Sequence, residues 1–428
     1  MRELQKRHTA QFRTTLGKLL AHKAWQSKGA QVKVLIVHNY YSWRGGEDEC
    51  FDAEIELLSS RGIQVVTYTQ NSSRIDASKP LNLALRSIWS REDYKAVRLL
   101  IKKERPDLTH VENCFPLISP AVYYASQAEG VPVLQSLHNY RLLCLNSQLV
   151  RNGAVCEDCV NKFLPWPGVL HSCYFRGRAA SATLASMLTV HRAIKTFTTK
   201  VNFYTAPTDF VRNKFIQSGF PEEKILLRPI FVANDMGVGQ GSGDYALFVG
   251  RLSPEKGLNV LLSACEKLGP GFPVKIIGSG PMEDQVRDMA RRIKGVEFLG
   301  RVPSEQLRES FRNARALILP SIWYEGSPAV IGEAFSAGVP VIASDLGGMS
   351  TLIDDGRTGL HFRPGDADDL AMKVRWAFSH HEEIERMRHS ARREYETKYA
   401  PENSIQRQIE IYQMVIRQRS LLAPLSPA

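Results

Sequence analysis

The sequence lacks several features that would assign it to a special class of protein. No apolar run approaches the roughly eighteen residues needed to span a bilayer. The first thirty residues are basic and lack the apolar block of a secretory signal. Zinc-finger spacing of the Cys2His2 kind and the aromatic-glycine signature of an RNA-binding sheet are also missing. These absences predict a cytoplasmic protein and argue against a nucleic-acid partner.

Length and charge indicate a two-domain protein with anionic partners. A chain of 428 residues is long for a single core, and its 43% hydrophobic and 23% charged residues are ordinary for a globular protein. The net charge of +11 favours phosphorylated substrates, anionic lipid or nucleic acid, without choosing among them. Residues 2–25 have the pattern of a basic amphipathic helix, which either lies on an anionic membrane surface or packs on its own domain.

Apolar, β-branched runs alternate with segments of helical spacing, and the pattern occurs twice. In the first half, a helix is predicted over 47–60, and strands over 32–37, 63–68, 107–111 and 131–137. In the second half, helices are predicted over 258–268 and 330–337, and strands over 245–249, 274–277, 316–319 and 339–343. This alternation predicts an α/β protein with two parallel, doubly wound sheets, which bind ligands at the carboxyl ends of their strands.

One loop of the second half carries two cations. Arg251 and Lys256 follow the strand over 245–249 and precede a helix. They can converge on a diphosphate beside the positive N-terminal end of that helix. A solvated charged loop is the alternative interpretation.

A second loop and its helix carry two carboxylates. Ser327 and Pro328 signal a helix start, so Glu325 lies on the preceding loop and Glu333 about two turns inside the helix. The rest of this helix is apolar or small, and a carboxylate in such surroundings needs a partner. Either sugar hydroxyls or a structural salt bridge supplies it.

The order of several short motifs resembles glycosyltransferase family 4, the retaining enzymes of the GT-B fold. The resemblance covers about 245–366 and is highly specific. Its motifs are Gly-Arg-Leu-x-x-Glu-Lys-Gly at 250–257, Gly-Ser-Gly-Pro at 278–281, Leu-Gly-Arg-Val at 299–302, the Glu-x7-Glu pair, Ala-Gly-Val-Pro-Val at 337–341 with Gly347 and Gly348, and Asp-Gly-x-x-Gly at 355–359. The first half resembles the family more loosely, through Gly45, Gly46 and His138.

The resemblance implies roles for individual residues. Arg251 and Lys256 would bind the donor diphosphate. Glu325 would bind hydroxyls of the transferred sugar, and Glu333 would bind the ribose hydroxyls. His138 would hydrogen-bond the sugar near the reacting centre. The implied catalytic residues are Glu325, His138, Arg251 and Lys256. The implied donor-binding residues also include Gly46, Gly280, Arg301, Val302, Gly326, Ser327, Pro328, Ala329, Val330 and Glu333. A structural role is the alternative for His138, and His38, at another strand end, is a weaker candidate.

The resemblance also implies an activity: transfer of a sugar, with retention, from a UDP- or GDP-sugar to a glycan or lipid-linked acceptor in polysaccharide or glycoconjugate synthesis. No catalytic metal or cofactor is expected, because Arg251 and Lys256 would neutralise the leaving group. An anionic membrane surface, on the inner face of the plasma membrane, is a possible further partner. The alternatives are a sugar-nucleotide epimerase of the same fold and a non-catalytic nucleotide-sugar-binding protein.

We expect the following organisation: a basic helix within 1–30, an acceptor-side Rossmann-like domain over 31–228, a linker over 229–243, a nucleotide-sugar-binding domain over 244–400, a helix over 401–420 and a tail over 421–428. The two domains should face each other across a cleft, with the C-terminal helix packing back on the N-terminal domain.

Four cysteines cluster in what resembles an insertion at about 141–180, beyond His138. They are Cys144, Cys156, Cys159 and Cys173, and they include a Cys-x2-Cys pair. Such spacing suits a structural zinc ion, with His171 as a substitute ligand. Unliganded thiols and redox pairing are the alternatives.

Overall fold

The computed structural model describes residues 32–41, 46–74, 80–232, 234–239 and 244–422. The strands of the first sheet are β1 (Lys33–Tyr40), β2 (Gln64–Asn71), β3 (Leu108–Asn113), β4 (Val133–Ser136), β7 (Phe203–Ala206) and β8 (Ile225–Leu227). They pair in parallel in the order β2-β1-β3-β4-β7-β8. A short antiparallel hairpin comes from β5 (Val150–Arg151) and β6 (Ala154–Val155).

A second parallel sheet repeats this architecture. Its strands are β9 (Tyr245–Val249), β10 (Val274–Ile277), β11 (Val296–Gly300), β12 (Ala314–Leu319), β13 (Val341–Ser344) and β14 (Gly359–Phe362). Their order is β11-β10-β9-β12-β13-β14. Two doubly wound sheets are therefore present, as the alternating pattern predicted.

Helices connect the strands of both sheets. Those of the first half are α1 (Gly46–Ser60), α2 (Pro80–Ile88), α3 (Arg91–Glu104), α4 (Ala121–Ala128), α5 (Trp166–Leu170), α6 (Arg178–Ala193), α7 (Thr196–Thr199) and α8 (Asp209–Gln217). Those of the second half are α9 (Leu258–Leu268), α10 (Glu283–Arg292), α11 (Ser304–Arg312), α12 (Ala329–Ser336), α13 (Met349–Leu352), α14 (Ala367–Ser379), α15 (His381–Glu394) and α16 (Pro401–Leu422). Among the described residues, no helix combines the length and apolar composition that crossing a membrane requires.

Both faces of the first sheet are covered, which explains the continuous apolar sequence of β1. Leu35 and Val37 contribute to one buried cluster, and Val34 and Ile36 to another. Alternate residues of a strand point to opposite faces, so a strand buried on both faces is apolar throughout. The second of these clusters includes Ile405, Ile411, Tyr412 and Val415 of α16. The C-terminal helix thus packs back on the first sheet, as expected.

Several predicted strand boundaries differ from the observed ones by one to three residues. The strand predicted over 339–343 begins only at Val341, because Val339 lies in the turn that follows α12, where its N–H donates to the carbonyl of Ala334 (2.8 Å). The strand predicted over 107–111 continues to Asn113. The basic helix predicted within residues 2–25 and Gly45 lie outside the described residues, as does nearly all of the predicted tail.

Candidate donor and acceptor site

Lys256 and Glu325 meet at the carboxyl end of the second sheet. Lys256 lies in a turn after β9, and Glu325 lies on the loop after β12. Lys256 Nζ donates to Glu325 Oε1 (2.6 Å), and the buried Ser321 hydroxyl donates to the same oxygen (2.7 Å). Neighbouring parallel strands end at the same edge of a sheet, so two loops far apart in sequence become one charged site.

Glycines allow the loops around this pair to approach each other. Gly257 has a φ of +72°, and a Cβ there would lie 1.8 Å from the carbonyl oxygen of Pro320. A Cβ at Gly280 would lie 2.4 Å from the carbonyl oxygen of Leu252. These contacts are possible only without a side chain, and they bring three loops together around one space.

Arg251 and Arg301 are exposed at the rim of the site. Arg301 Nε donates to Ser279 Oγ (2.7 Å). No ion pair joins Arg251 to another described residue. Its guanidinium is therefore free, within the described residues, to bind an anion. Val302 follows β11 and is half-buried against the core.

Helix α12 points its N-terminus into the same region. Pro328 occupies its N-cap position, Gly326 and Ser327 precede it, and Ala329 and Val330 begin the first turn. The N-terminal end of a helix carries partial positive charge and unpaired N–H groups, which suit an anionic or hydroxyl-rich ligand.

Glu333 is a half-buried carboxylate on α12. Burial raises its pKa to about 6, and the carboxylate of Glu49 on α1 contributes. Among the described residues, no hydrogen bond or ion pair to its carboxylate is found. The structural salt bridge considered above is therefore not observed, and the carboxylate is available to a ligand.

His138 lies beyond β4 and pairs with a residue that the sequence did not reveal. Its Nε2 bonds to an oxygen of Glu112, near the end of β3. Burial disfavours the charged imidazolium, but the Glu112 carboxylate outweighs this effect and raises the pKa of His138 to about 9. Burial likewise acts against the Glu112 anion, yet His110 and His138 hold the pKa of Glu112 well below its usual range. His138 is thus held as a cation at neutral pH.

The pair of His138 and Glu112 belongs to a larger network of buried polar side chains. His110 Nε2 lies 2.9 Å from a Glu112 oxygen, and its Nδ1 bonds to the Tyr412 hydroxyl of α16 (2.8 Å). Arg228 Nη2 pairs with Glu54 at 2.6 Å. Glu54, His110 and Glu112 form the only described cluster of three or more metal-ligating groups within 4.8 Å. Arg228 and His138 already neutralise its carboxylates, so we assign it no metal.

The two halves of the site lie against each other. The Thr208 hydroxyl, which caps α8, donates to the carbonyl of Gly326 (3.0 Å). A Cβ on Gly326 would lie 3.5 Å from the carbonyl oxygen of His138. The loop of His138, which follows a strand of the first sheet, therefore lies next to the loop of Glu325, which follows a strand of the second sheet.

Gly46 begins α1, whose second residue approaches the histidine loop. Glu47 accepts hydrogen bonds from the Tyr41 hydroxyl (3.1 Å) and from Asn139 Nδ2 (3.3 Å). His38 pairs with Asp48 (2.8 Å), and both side chains are fully buried. This contact indicates a structural role for His38 rather than a role in the site.

A pocket opens beside His138 on the first sheet. Its walls come from β3, β4, α4, α6 and the loop after β4, and include Glu112, Phe115, Gln135, His138, Asn139, Arg141, Leu142, Met187 and Phe197. The guanidinium of Arg141 lies over the rings of Phe115 (5.5 Å) and Tyr174 (5.0 Å). This pocket is a candidate acceptor site, because it adjoins His138 and is lined by residues of the first half of the chain.

The four clustered cysteines are all free thiols. Their sulfur atoms do not form a group of three within 4.8 Å. Burial raises the pKa of Cys159 to about 11, and Cys144, Cys173 and Cys156 lie close enough to contribute to this rise. The redox pairing considered above is not observed.

The sequence matches two family models in succession. Residues 23–232 match Glycosyltransferase Family 4, and residues 240–394 match Glycosyl transferases group 1. The chain belongs to glycosyltransferase family 4. An uncharacterized glycosyltransferase of Methanocaldococcus jannaschii is 30% identical over 46% of this chain and 50% of its own length. A phosphatidyl-myo-inositol mannosyltransferase of Mycolicibacterium smegmatis is 37% identical over 30% and 34%, respectively. The chain thus spans half or less of the length of these relatives.

Solved glycosyltransferase structures share the architecture of this family 4 chain. The sucrose-phosphate synthase of Thermosynechococcus elongatus has a TM-score of 0.67 at 15% identity, covering 91% of this chain and 100% of that one. The Anabaena protein HepE in complex with UDP has a TM-score of 0.64 at 16% identity, covering 90% and 100%. These similarities establish the GT-B fold.

Proposed function

We propose that this family 4 protein is a retaining glycosyltransferase that moves a sugar from a nucleotide-sugar donor to a glycan or lipid-linked acceptor. One observation supports this most strongly: the loop of the cationic His138 adjoins the loop of the Lys256 and Glu325 pair. A donor sugar between them is within reach of both. Structures of HepE in complex with UDP and with UDP-glucose favour UDP as the nucleotide of the donor.

The residues that we propose bind the donor include cations for its diphosphate and carboxylates for its hydroxyl groups. Arg251, Lys256 and the N-terminus of α12 bind the diphosphate, where negative charge grows as the glycosidic bond breaks. Glu325 accepts hydrogen bonds from sugar hydroxyls, and Glu333 accepts them from the ribose. Arg301 and Val302 border the base. The two cations neutralise the leaving group, so the proposed chemistry uses no catalytic metal.

Retention follows from attack on the face that the diphosphate leaves. The anomeric carbon–oxygen bond to the donor phosphate breaks, the acceptor oxygen bonds to that carbon on the same face, and the acceptor proton passes to the leaving phosphate. The His138 imidazolium donates a hydrogen bond to a sugar hydroxyl at this centre. Its positive charge is maintained by Glu112.

The products distinguish this activity from epimerisation and from simple binding. We would incubate the protein with UDP- and GDP-sugars and lipid-linked sugar acceptors, and follow nucleoside diphosphate release and anomeric configuration by proton NMR. Release of diphosphate with retained configuration is expected, and it should be lost in His138→Ala but kept in the exposed-site control His389→Ala. An inverted product would contradict retention. An isomerised nucleotide sugar without diphosphate release would identify an epimerase, and donor binding without turnover would identify a binding protein.

We also propose that Cys144, Cys156, Cys159 and Cys173 bind one structural zinc ion, which would draw together sulfur atoms that form no group of three within 4.8 Å in this structure. Burial raises the pKa of the Cys144 thiol, which donates to Asn146 Oδ1 (2.9 Å), but the backbone N–H groups of Leu149 and Asn146 favour its thiolate, the form that binds zinc. Seven of the ten described non-glycine residues with positive φ lie within 147–176. Such strain persists only where the surroundings hold it, and a metal ion supplies that constraint.

Metal analysis tests this assignment. Protein purified without chelator should contain about one zinc per chain if four thiolates bind it. Cys156→Ser and Cys173→Ser should lose the metal, while Cys50→Ser should keep it. Retention of zinc in His171→Ala would confirm the four-cysteine set over the histidine substitute. Zinc-free wild-type protein that keeps its stability in chelator would contradict the site.

A further inference from the structure

The strongest unexplained feature of the surface is a group of exposed apolar side chains on the insertion after β4. Phe163, Leu164, Trp166, Leu170, Phe175 and Ile194 are exposed by 47–79%. They account for more than half of the large apolar side chains exposed on the described residues. Exposed apolar residues scattered singly are normal, but a contiguous group marks an interaction surface. We call these six residues the apolar face.

Packing joins the apolar face into one surface. Helix α5, with Trp166 and Leu170, packs against α6. At the far end of α6, the Arg192 guanidinium donates to the carbonyl of Phe163 (3.2 Å) and to that of Leu142 (2.8 Å). Phe175 lies three residues before the first residue of α6, and Ile194 immediately follows its last residue. The face therefore extends along the length of α5 and α6.

Charge around the apolar face has one sign. From residue 159 to residue 208 the sequence contains no aspartate or glutamate, and six lysines and arginines. Lys162, Arg176, Arg178 and Lys195 are exposed beside the apolar side chains. A segment that combines exposed aromatic and aliphatic side chains with cations and no acidic residue matches the interface of an anionic bilayer, in which apolar groups enter the acyl region and cations meet the headgroups.

We propose that this face docks the protein on an anionic lipid bilayer. The inference rests on the proposed function for its purpose: α6 also contributes Met187 to the wall of the candidate acceptor pocket. A docked molecule holds that pocket at the membrane surface, where a lipid-linked acceptor is presented. The occupant is a bilayer rather than a protein, because the segment that carries the face, residues 159–208, supplies six cations and no acidic side chain.

Vesicle binding by the full-length protein tests the proposal without donor or acceptor. Wild type should bind vesicles rich in phosphatidylglycerol, bind phosphatidylcholine vesicles weakly, and lose binding as salt rises. Trp166→Glu and Phe175→Glu should each weaken binding about tenfold or more, since each replaces an inserted apolar group with a repelled charge. Leu99→Glu and Met372→Glu, exposed by 71% and 52% elsewhere, should not weaken it.

A depth measurement separates this face from any other lipid-binding segment. Vesicles with brominated acyl chains should quench the wild-type tryptophan fluorescence, and Trp166→Phe should bind equally but be quenched less. Equal quenching of the two proteins, equal losses in the control variants, or concentration-dependent dimers abolished by Trp166→Glu would overturn the proposal. UDP binding, measured on every variant without vesicles, shows separately whether the donor site is intact.

Discussion

Single residues set the electrostatics of the proposed reaction centre. Glu112 keeps His138 charged, Ser321 and Lys256 hold Glu325, and the Glu333 carboxylate has no partner among the described residues. Motif spacing predicted Lys256, Glu325 and His138 as separate candidates. It missed Glu112, because the predicted strand ended one residue before it. The alternation of His110 and Glu112 at a strand end was the available signal, since residues two apart share a face.

Removal of the Glu112 charge should change the pH dependence of transfer. In Glu112→Gln, burial acts on His138 without the opposing carboxylate, so its pKa falls from about 9 and the alkaline limb of the rate profile moves to lower pH. The surface variant Glu157→Gln should keep the wild-type profile. An unmoved alkaline limb would exclude His138 as the titrating group.

The pair of His138 and Glu112 should also make the stability of the protein depend on pH. The folded pKa of His138 is raised above its ordinary value of 6.5, so the stabilisation is complete below that pH and is lost as the pH rises through about 9. Denaturant unfolding at several pH values should show this loss in wild type and less of it in Glu112→Gln. The same loss in both proteins would contradict the assignment.

The cation at Lys256 should act mainly on turnover. Lys256→Ala removes positive charge where the leaving phosphate forms, so kcat should fall by a factor of roughly a hundred or more. Lys267→Ala, which removes only a surface pair with Asp368, serves as the control. Unchanged kcat in Lys256→Ala would disprove its role in leaving-group stabilisation.

At the scale of elements, glycines determine how closely the loops of the second sheet approach. Sequence spacing identified Gly347 and Gly348 as part of the family pattern but gave no contact for them. In the structure, a Cβ on Gly348 would lie 2.3 Å from the Gly326 carbonyl oxygen, next to Glu325. Such contacts depend on the three-dimensional approach of distant loops, which periodicity does not encode.

Gly348→Ala should therefore disturb the donor loop. The added methyl group forces the loops apart at a cost of about 1–3 kcal/mol of unfolding free energy, as for overpacked cores, and should weaken UDP binding. Gly271→Ala introduces a methyl group into open space and should change neither. Denaturant unfolding and UDP titration of both variants provide the comparison, and equal behaviour would contradict the steric argument.

At the scale of the whole molecule, the C-terminal helix belongs to the core of the first sheet. Its Tyr412 is fully buried and bonds to His110, 302 residues earlier in the chain. The sequence supported the helix and the two parallel sheets, since these follow from local pattern. It did not reveal the network linking Tyr412, His110 and Glu112, because long-range contacts of polar residues leave no periodic signal. The predicted domain boundaries stay predictions.

Tyr412→Phe should test that link. The variant removes one buried hydrogen bond and leaves a His110 nitrogen unpaired, which should cost about 1–3 kcal/mol. Thermal unfolding should register the loss, while UDP affinity at the second sheet should be unchanged. A variant as stable as wild type would show that the contact does not hold the helix.

The central claim, a nucleotide-sugar site at the carboxyl end of the second sheet, is tested most directly by calorimetric titration of UDP and GDP between about pH 5 and pH 8. Burial raises the pKa of Glu333 to about 6, and ribose hydroxyls bind the ionised carboxylate, so affinity should rise with pH through that value. Glu333→Gln should bind more weakly and show a smaller dependence, that of the nucleotide phosphate alone, whose second pKa is also about 6. Glu382→Gln, on the surface of α15, should retain the wild-type affinity and dependence. Absence of binding by either nucleotide, or binding that Glu333→Gln leaves unchanged at every pH, would contradict the account.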